Sequence, residues 1–117
     1  MTADELGRLG EDLAAAFYRV HGYRTRARRW RRAHGEIDLI VERGDVTVFV
    51  EIKARGPGSY GRACEAVTPR QLARLRTLAA RWSREHAPRP RRRLDVVTLD
   101  VLPEGRGLVL RQIRDVR

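Results

Sequence analysis

The chain has little cysteine and no long apolar segment. Its single cysteine, Cys64, excludes an internal disulfide and a metal site built from several thiolates, and it suits a reducing cytosol. No run approaches the ~20 apolar residues that cross a bilayer. The first residues, MTADELGRLGEDLAAAF, begin acidic and lack the basic-then-apolar order of a signal peptide. We therefore expect a cytoplasmic protein with no membrane partner.

The chain is also short and undivided. Its 117 residues fit one domain with a modest core, and the apolar fraction of 42% is ordinary for a globular protein. There is no internal repeat and no linker long enough to separate two domains. We expect a single domain over residues 1–117.

Lysine is nearly absent, although the chain is strongly basic. Of 25 basic residues only Lys53 is a lysine, and the formal net charge is +10. Such a charge favours nucleic acid as a partner, and arginines cluster at residues 24–32 and 89–93. A compositional bias of the proteome explains much of the choice of arginine over lysine, but not the excess of positive charge. Position 53 is therefore predicted to need a compact ammonium that a guanidinium does not replace.

Periodicity predicts two helices and a mixed sheet. The first helix spans residues 4–21, and the second begins at Thr68 with the capping box of Thr68 and Gln71. Strands are predicted for an edge segment YRTRARRW, for EIDLIVE and VTVFVEIKA, for LDVVTLDVL, and for LVLRQIRDV at the end. The helix between the third and fourth strands allows these strands to be parallel. The fold class is therefore α/β, in the order α-β-β-β-α-β with a last β.

The segment GEIDLIVERGDVTVFVEIKAR places charged residues in two strands that are otherwise apolar. With a two-residue turn at Gly44-Asp45, Asp38 lies opposite Glu51 and Glu36 lies opposite Lys53. The Cβ atoms of opposed residues are about 4.5–5.5 Å apart. The two carboxylates would therefore repel each other unless a cation lay between them. A three-residue turn would misalign Asp38 and Glu51.

Alternation predicts an apolar face on the other side of this hairpin, made by Ile37, Leu39, Val41, Val46, Val48, Val50 and Ile52. An exposed polar face with an ordinary Glu36–Lys53 ion pair would give the same charge pattern, because antiparallel sheets often have one wet face. The unique lysine and the basic charge of the whole chain favour a metal site instead.

The spacing of Asp38 and Glu51-Ile52-Lys53 resembles the PD-(D/E)xK nuclease signature, with Ile37 in the place of its proline. The wider pattern is similar to the YraN-like family of small predicted endonucleases, which is distantly similar to archaeal Holliday-junction resolvases. The matching pieces are LGEDLAAAF, HGY, GEIDLIVERGDVTVFVEIKAR, EAVTPRQLARL and LDVV. They follow the family's order and span nearly the whole chain.

The resemblance implies a restriction-endonuclease-like core that hydrolyses phosphodiester bonds with a divalent metal. Asp38, Glu51 and the Ile52 carbonyl would bind Mg²⁺ or Mn²⁺, and Lys53 would orient or deprotonate a water or stabilise charge on the phosphate. Glu11 would add a carboxylate, although the helical period alone puts it on the polar side as a solvated residue. Glu36 belongs to the same motif and could equally pair with Lys53.

The expected partner is DNA, with RNA not excluded, and homodimerisation is suggested by analogy with resolvases. The GPGSYG loop at 56–61 would help to grip the backbone. Residues expected to contact nucleic acid are Arg24, Arg26, Arg28, Arg29, Arg31, Arg32, Arg55, Arg70 and Gln71. Gln71 stands where a lysine is common in the family, and helix capping explains it adequately. The alternative function is a non-catalytic nucleic-acid-binding module that keeps the nuclease fold.

Overall fold

The computed structural model describes residues 1–57 and 67–117. Within them the chain forms two α-helices, α1 (Ala3–Val20) and α2 (Pro69–Glu85), and a turn of 3₁₀-helix at Pro103–Gly105. The strands are β1 (Arg24–Arg32), β2 (Gly35–Arg43), β3 (Val46–Arg55), β4 (Arg91–Val101) and β5 (Leu108–Ile113). This order, α-β-β-β-α-β-β, confirms the predicted fold class. The greater part of the GPGSYG loop lies outside the described residues.

The five strands make one sheet in the order β1-β2-β3-β4-β5, so β1 is an edge strand as expected. β3 and β4 are parallel, and α2 connects them. The other neighbouring pairs are antiparallel. β2 and β3 pair through a two-residue turn at Gly44-Asp45, and Arg43 is opposite Val46. This register is the one that aligns Asp38 with Glu51.

Each face of the sheet is covered by one helix. On one face, Ala14 and Tyr18 of α1 pack against a cluster of strand residues, Leu39, Val41, Val46, Val48, Val50 and Val97. On the other, Leu75, Leu78, Ala79 and Trp82 of α2 pack against Ile37, Ile40 and Phe49. The hairpin is therefore buried on both sides for most of its length, and charged residues gather only where the helices leave space.

The expectation that Ile37 shares the face of Leu39 is wrong. Ile37 packs with Ile40 against α2, whereas Leu39 packs against α1. Strict alternation is interrupted between them, at Asp38. The backbone of Arg29, opposite Asp38 in β1, has a φ of 50° there, and pairing with β1 is regular only on either side. The same residue, Asp38, makes a hydrogen bond across the hairpin to the Ile52 amide.

Capping residues begin both helices where the sequence predicts them. Thr2 accepts the Glu5 amide hydrogen at the start of α1. Thr68 and Gln71 form the predicted capping box, with distances of 2.9 and 3.1 Å between their partners. Within the described residues, neither helix combines the length and the apolar character needed to span a bilayer.

Gly10 lets α1 approach β3 closely. A Cβ on Gly10 would lie 3.3 Å from Cβ of Ala54 and 3.6 Å from Cγ2 of Ile52. The absence of a side chain therefore brings this turn of the helix down onto the strand. The next residue, Glu11, is consequently held at the edge of the hairpin beside Asp38.

Candidate functional site

Asp38 lies where regular pairing between β2 and β3 ends. The last paired residues are Leu39 and Val50, and beyond them the Asp38 side chain replaces the backbone as acceptor. Its Oδ2 accepts the Ile52 amide hydrogen at 2.7 Å. This hydrogen bond ties Asp38 to Ile52, the central residue of Glu51-Ile52-Lys53, and fixes the orientation of the Asp38 carboxyl group.

The register of the hairpin places Asp38 opposite Glu51, so that their two carboxyl groups interact. Burial, that interaction and the charge of Glu51 raise the pKa of Asp38 to about 8, although the Ile52 amide opposes the change and Glu36 adds a small further rise. Two carboxylates cannot both be charged at this separation without a large penalty. A proton or a cation between them removes that penalty.

Lys53 lies near the end of β3 and is paired with Thr98 of the neighbouring parallel strand β4. In the part of the chain that the structure describes, its ammonium makes no hydrogen bond or ion pair. The alternative Glu36–Lys53 ion pair is not formed. Glu36 instead accepts a 2.7 Å hydrogen bond from Arg31, its partner in the β1–β2 ladder. Lys53 is therefore available to a ligand.

Glu11 is not the solvated residue that the helical period alone predicts. Its side chain is 15% exposed and pairs with Arg29 at 2.5 Å, with Arg28 at 3.8 Å. It lines a pocket of about 220 Å³ together with Asp38, Ile52, Ala3, Gly7 and Ala54. The fold thus brings Glu11 to the site, as the resemblance implies, but an arginine already holds its carboxylate.

The residues of the site supply some, but not all, of the ligands that a hard divalent cation needs. Asp38 and Glu51 supply adjacent carboxylate oxygens, the ligands that Mg²⁺ and Mn²⁺ prefer, and their mutual repulsion favours a cation. Among residues 1–57 and 67–117, no three His, Cys, Asp or Glu side chains stand close enough to make a complete centre. Solvent and substrate oxygens would have to complete the coordination, as Mg²⁺ commonly accepts.

The buried carboxylate of Glu42 forms ion pairs with three arginines. Its side chain is 1% exposed and pairs with Arg24, with Arg26 at 2.8 Å and with Arg89 at 3.2 Å. Arg26 also lies over the ring of Trp82, 4.9 Å from the centroid. Two of the arginines expected to contact nucleic acid are thus part of the structural framework.

The other arginines of β1 also have acidic partners. Arg28 pairs with Asp12 at 2.6 Å, and Arg32 pairs with Glu85 at 3.3 Å while lying 4.1 Å above Trp30. Trp30 packs against the α2 cluster and covers the sheet. Exposed pairs of this kind exchange readily for other anions because each contributes little free energy. A role for these arginines in binding nucleic acid stays a prediction.

Arg55 and Arg70 make no side-chain hydrogen bond or ion pair within the described residues. Gln71 is occupied by the capping box, which explains its presence at the start of α2. Arg55 lies two residues beyond Lys53 and pairs in the ladder with Asp100. Of the expected contacts outside β1, Arg55 is therefore the one that belongs to the neighbourhood of Lys53.

Sequence reasoning missed a polar pair beside Lys53. Thr98 and Asp100 of β4 are fully buried, and within the described residues Oγ1 of Thr98 and Oδ1 of Asp100 have no hydrogen-bond partner. The other carboxylate oxygen of Asp100, Oδ2, lies 3.4 Å from Nη1 of Arg111. The sequence LDVVTLDVL shows the alternation, but the parallel register that brings these residues beside Lys53 and Arg55 depends on the three-dimensional structure.

Asp95, the acidic residue of LDVV in β4, stabilises the fold and does not belong to the candidate site. It is fully buried and accepts hydrogen bonds from Tyr18 at 2.7 Å and from Arg93 at 2.9 Å. Burial and the negative charge of Asp95 raise the pKa of the Tyr18 hydroxyl above its usual range. The partner of Asp95 in the ladder is Val50, which faces α1. Its oxygens are fully engaged in structural bonds.

Comparison with known proteins identifies the chain's relatives. The profile of Uncharacterised protein family UPF0102 matches residues 10–99. A UPF0102 protein of Leifsonia xyli subsp. xyli is 51% identical over 74% of this chain and 74% of its own. Another, from Arthrobacter sp., is 47% identical over 89% of this chain and 87% of its own. The chain belongs to family UPF0102, the YraN family, whose members are restriction-endonuclease-like.

Proposed function

We propose that this member of family UPF0102 is a metal-dependent endonuclease that hydrolyses phosphodiester bonds in DNA, including branched or structured DNA. The observation that carries the proposal is that two acidic residues, Asp38 and Glu51, are opposed on the two strands of the hairpin, and that Lys53, two residues after Glu51, has no partner among the described residues. In a structural ion pair, a carboxylate would contact a basic side chain. Here two carboxyl groups lie together and the lysine has no partner among the described residues. The carboxyl groups could therefore bind a cation, and the lysine could bind a phosphate.

Asp38 and Glu51 would hold Mg²⁺ or Mn²⁺, with the Ile52 carbonyl as a further donor. When bound, the ion would supply Lewis acidity toward the scissile phosphate and a water of lowered pKa. The Ile52 amide keeps the Asp38 carboxyl in one orientation, so the site loses little entropy on loading. Lys53 would donate hydrogen bonds to a nonbridging phosphate oxygen or orient the attacking water.

Glu11 and Glu36 would act differently from Asp38 and Glu51. Each is paired with an arginine, Glu11 with Arg29 and Glu36 with Arg31. Exchange of these arginines onto backbone phosphates would release both carboxylates at the moment that nucleic acid binds. Glu11 would then be free to bind the metal, so the complete set of ligands would form only with substrate in place.

A second function has one observation in its favour. Because Glu11 and Glu36 are neutralised by arginines, the described residues hold fewer free carboxylates than the resemblance implies. A nucleic-acid-binding module that keeps the nuclease fold without cutting would tolerate that arrangement. It would have no use for a lysine in place of arginine at position 53.

The test is cleavage of labelled single-stranded, duplex, flap and four-way-junction DNA and of RNA, with Mg²⁺, Mn²⁺ or EDTA. The variants are Asp38→Asn, Glu51→Gln and Lys53→Gln, with Glu104→Gln as a control because Glu104 is 80% exposed in its side chain and lies on the Pro103–Gly105 turn. We expect metal-dependent cutting that falls at least 100-fold in the three site variants and is unchanged in the control. Salt-sensitive binding without cutting in any condition would favour the binding module.

A further inference from the structure

We propose that an arginine-lined pocket at the far end of β3 binds backbone phosphates of the nucleic acid at a second place on the same substrate. The proposal rests on the proposed function for its choice of nucleic acid. The pocket measures about 630 Å³ and is lined by Val46, Arg91, Arg92, Arg93, Arg114, Asp115 and Arg117. Five arginines and one acidic residue therefore line a single concave surface.

Arg93 is fixed in place before any ligand arrives. Its Nε and Nη2 each donate to the Asp95 carboxylate at 2.9 Å, and Nη2 also donates to the Tyr23 hydroxyl at 3.1 Å. The Asp95 carboxylate is completely buried, so this pair is shielded from solvent. Nη1 of Arg93 makes no hydrogen bond within the described residues and is left for an anion in the pocket.

The end of the chain is tied down so that its arginines meet those of β4. The Asp115 amide donates to Asp95 at 3.0 Å, and the Val116 amide donates to the Leu94 carbonyl at 2.8 Å. Asp95 thus holds both Arg93 and the segment that carries Arg114. One buried carboxylate thus holds together two arginine-rich stretches that would otherwise repel each other, and the lining of the pocket is in place before a ligand binds.

Two arginines of the pocket have no internal partner. Arg92 and Arg114 make no side-chain hydrogen bond or ion pair within residues 1–57 and 67–117. Of the others, Arg91 pairs with Asp45 at 3.0 Å, and Arg117 pairs with Asp115 at 2.9 Å. The acid of the pocket is therefore already neutralised, and Arg92 and Arg114 present uncompensated charge to a ligand.

The size and position of the pocket indicate a long polyanion rather than a small one. Its volume of about 630 Å³ exceeds the need of one phosphate and suits a run of backbone. Val46 lies in the pocket, and Glu51 is five residues further along β3, which is about 17 Å at the rise of a strand. That distance corresponds to about five base pairs of duplex. One DNA segment could thus contact both places at once.

The experiment compares two double variants with equal loss of charge. Arg92→Gln/Arg114→Gln removes the unpaired arginines of the pocket, and Arg84→Gln/Arg106→Gln removes two exposed arginines elsewhere. Binding is measured by fluorescence anisotropy in EDTA, across a salt series, with DNA hairpins of 15-base-pair and four-base-pair stems. Circular dichroism and thermal melts check that all proteins fold alike.

For the long hairpin we expect the pocket variant to bind at least tenfold more weakly than the control variant, with a salt slope reduced by about two. For the short hairpin, which is too short to span both places while it occupies the Asp38 site, we expect the two double variants to bind alike. Equal binding of the long hairpin by both variants would overturn the proposal.

Failure of this proposal is distinguishable from failure of the proposed function. If wild-type protein cuts DNA and the two double variants bind the long hairpin equally, the nuclease stands and the pocket proposal falls. If the pocket variant alone loses affinity but wild-type protein never cuts, the second binding place stands and the nuclease falls. Binding in EDTA is scored separately from cutting, so neither result depends on the other.

Discussion

Oδ2 of Asp38 accepts the amide hydrogen of Ile52 at 2.7 Å, a contact between residues on the two strands of one hairpin. The regular ladder stops one pair earlier, at Leu39 and Val50. At the point where the strands separate, a side-chain carboxylate therefore replaces a backbone carbonyl as the hydrogen-bond acceptor. The bond uses one of the two carboxyl oxygens, and the candidate site is a consequence of the way in which this hairpin ends.

The first prediction concerns proton release when metal binds. In the protein without metal, the pKa of Asp38 is raised to about 8, so the group is largely protonated near pH 6 and must lose its proton to act as a ligand. A raised pKa also means that the stability contributed by this proton is present below about pH 4 and is lost as the pH rises through about 8. Mn²⁺ should consequently raise the melting temperature more at pH 8.5 than at pH 6.

The control for this prediction is Asp38→Asn, which has no proton to release. We expect its response to Mn²⁺ to be small and similar at both pH values, and isothermal titration in buffers of different ionisation heat should show proton release in wild-type protein only. An equal effect of Mn²⁺ on wild-type protein at pH 6 and pH 8.5 would contradict the link between the proton and the metal.

The second prediction concerns Glu42. Burial would raise its pKa, but hydrogen bonds from Arg24, Arg26 and Arg89 lower it to about 2. A lowered pKa means that the stabilisation is present above about pH 4.5 and is lost as the pH falls toward 2. Glu42→Gln should cost about 2–3 kcal/mol of unfolding free energy at pH 7 and should flatten the loss of stability between pH 5 and pH 2.

Glu85→Gln is the matched control in urea melts at several pH values. Glu85 pairs with Arg32 and Arg81 on the surface, and its side chain is 37% exposed. Exposed pairs contribute at most about 1 kcal/mol, so this variant should lose less than half as much as Glu42→Gln. Parallel acid limbs in wild-type protein and Glu42→Gln would show that Glu42 does not carry the pH dependence.

The third prediction contrasts two buried threonines. Oγ1 of Thr47 accepts the Arg89 amide hydrogen at 2.8 Å, whereas Oγ1 of Thr98 has no partner in the part of the chain that the structure describes. Thr47→Val should destabilise the protein by about 1–2 kcal/mol, because it leaves an amide unsatisfied. Thr98→Val, which replaces an unpaired hydroxyl by a methyl of the same shape, should be neutral or stabilising. Chemical denaturation measures both, and a larger loss for Thr98→Val would contradict the prediction.

The fourth prediction concerns the contact between α1 and β3. Ala at position 10 would place a Cβ 3.3 Å from that of Ala54, a short side chain on a central strand that cannot move aside. Gly10→Ala gains about 1 kcal/mol in helix propensity but should lose about 1–3 kcal/mol through overpacking, for a net loss of stability in a thermal melt. Gly7→Ala is the control, since among the described residues no atom outside its own stretch of helix lies within 4 Å of the added Cβ, and it should be stabilising.

The sequence predicts the elements of this fold from local signals, such as the Thr68–Gln71 capping box that marks the start of α2. This signal acts over four residues of the chain, so it can be read directly. The signal for the hairpin of β2 and β3 is also local, but the sequence allows a two-residue or a three-residue turn, and the structure shows which one forms.

What the sequence leaves open depends on contacts between distant segments. Ile37 changes face because alternation is interrupted at Asp38, and Glu36 pairs with Arg31 instead of Lys53 because the register of an edge strand places Arg31 opposite it. The position of Thr98 beside Lys53 needs the parallel ladder, which joins residues 45 positions apart. The charge pattern of the sequence indicates that the acidic residues have basic partners. Because arginine is so abundant, the pattern does not indicate which arginine pairs with each acidic residue.

The two kinds of pairing along β3 differ in the length of chain that must close before each can form. Asp38 and Ile52 meet through a two-residue turn, and hairpins of this kind form in about 1–10 microseconds. The arginine-lined pocket needs Val46 to find Arg91 and needs the end of the chain to dock on Leu94. Loop-closure entropy makes such distant pairings slow. The carboxyl pair can therefore assemble in a nascent hairpin, whereas the arginine pocket forms only after residues 91–117 have been synthesised and have docked on the earlier strands.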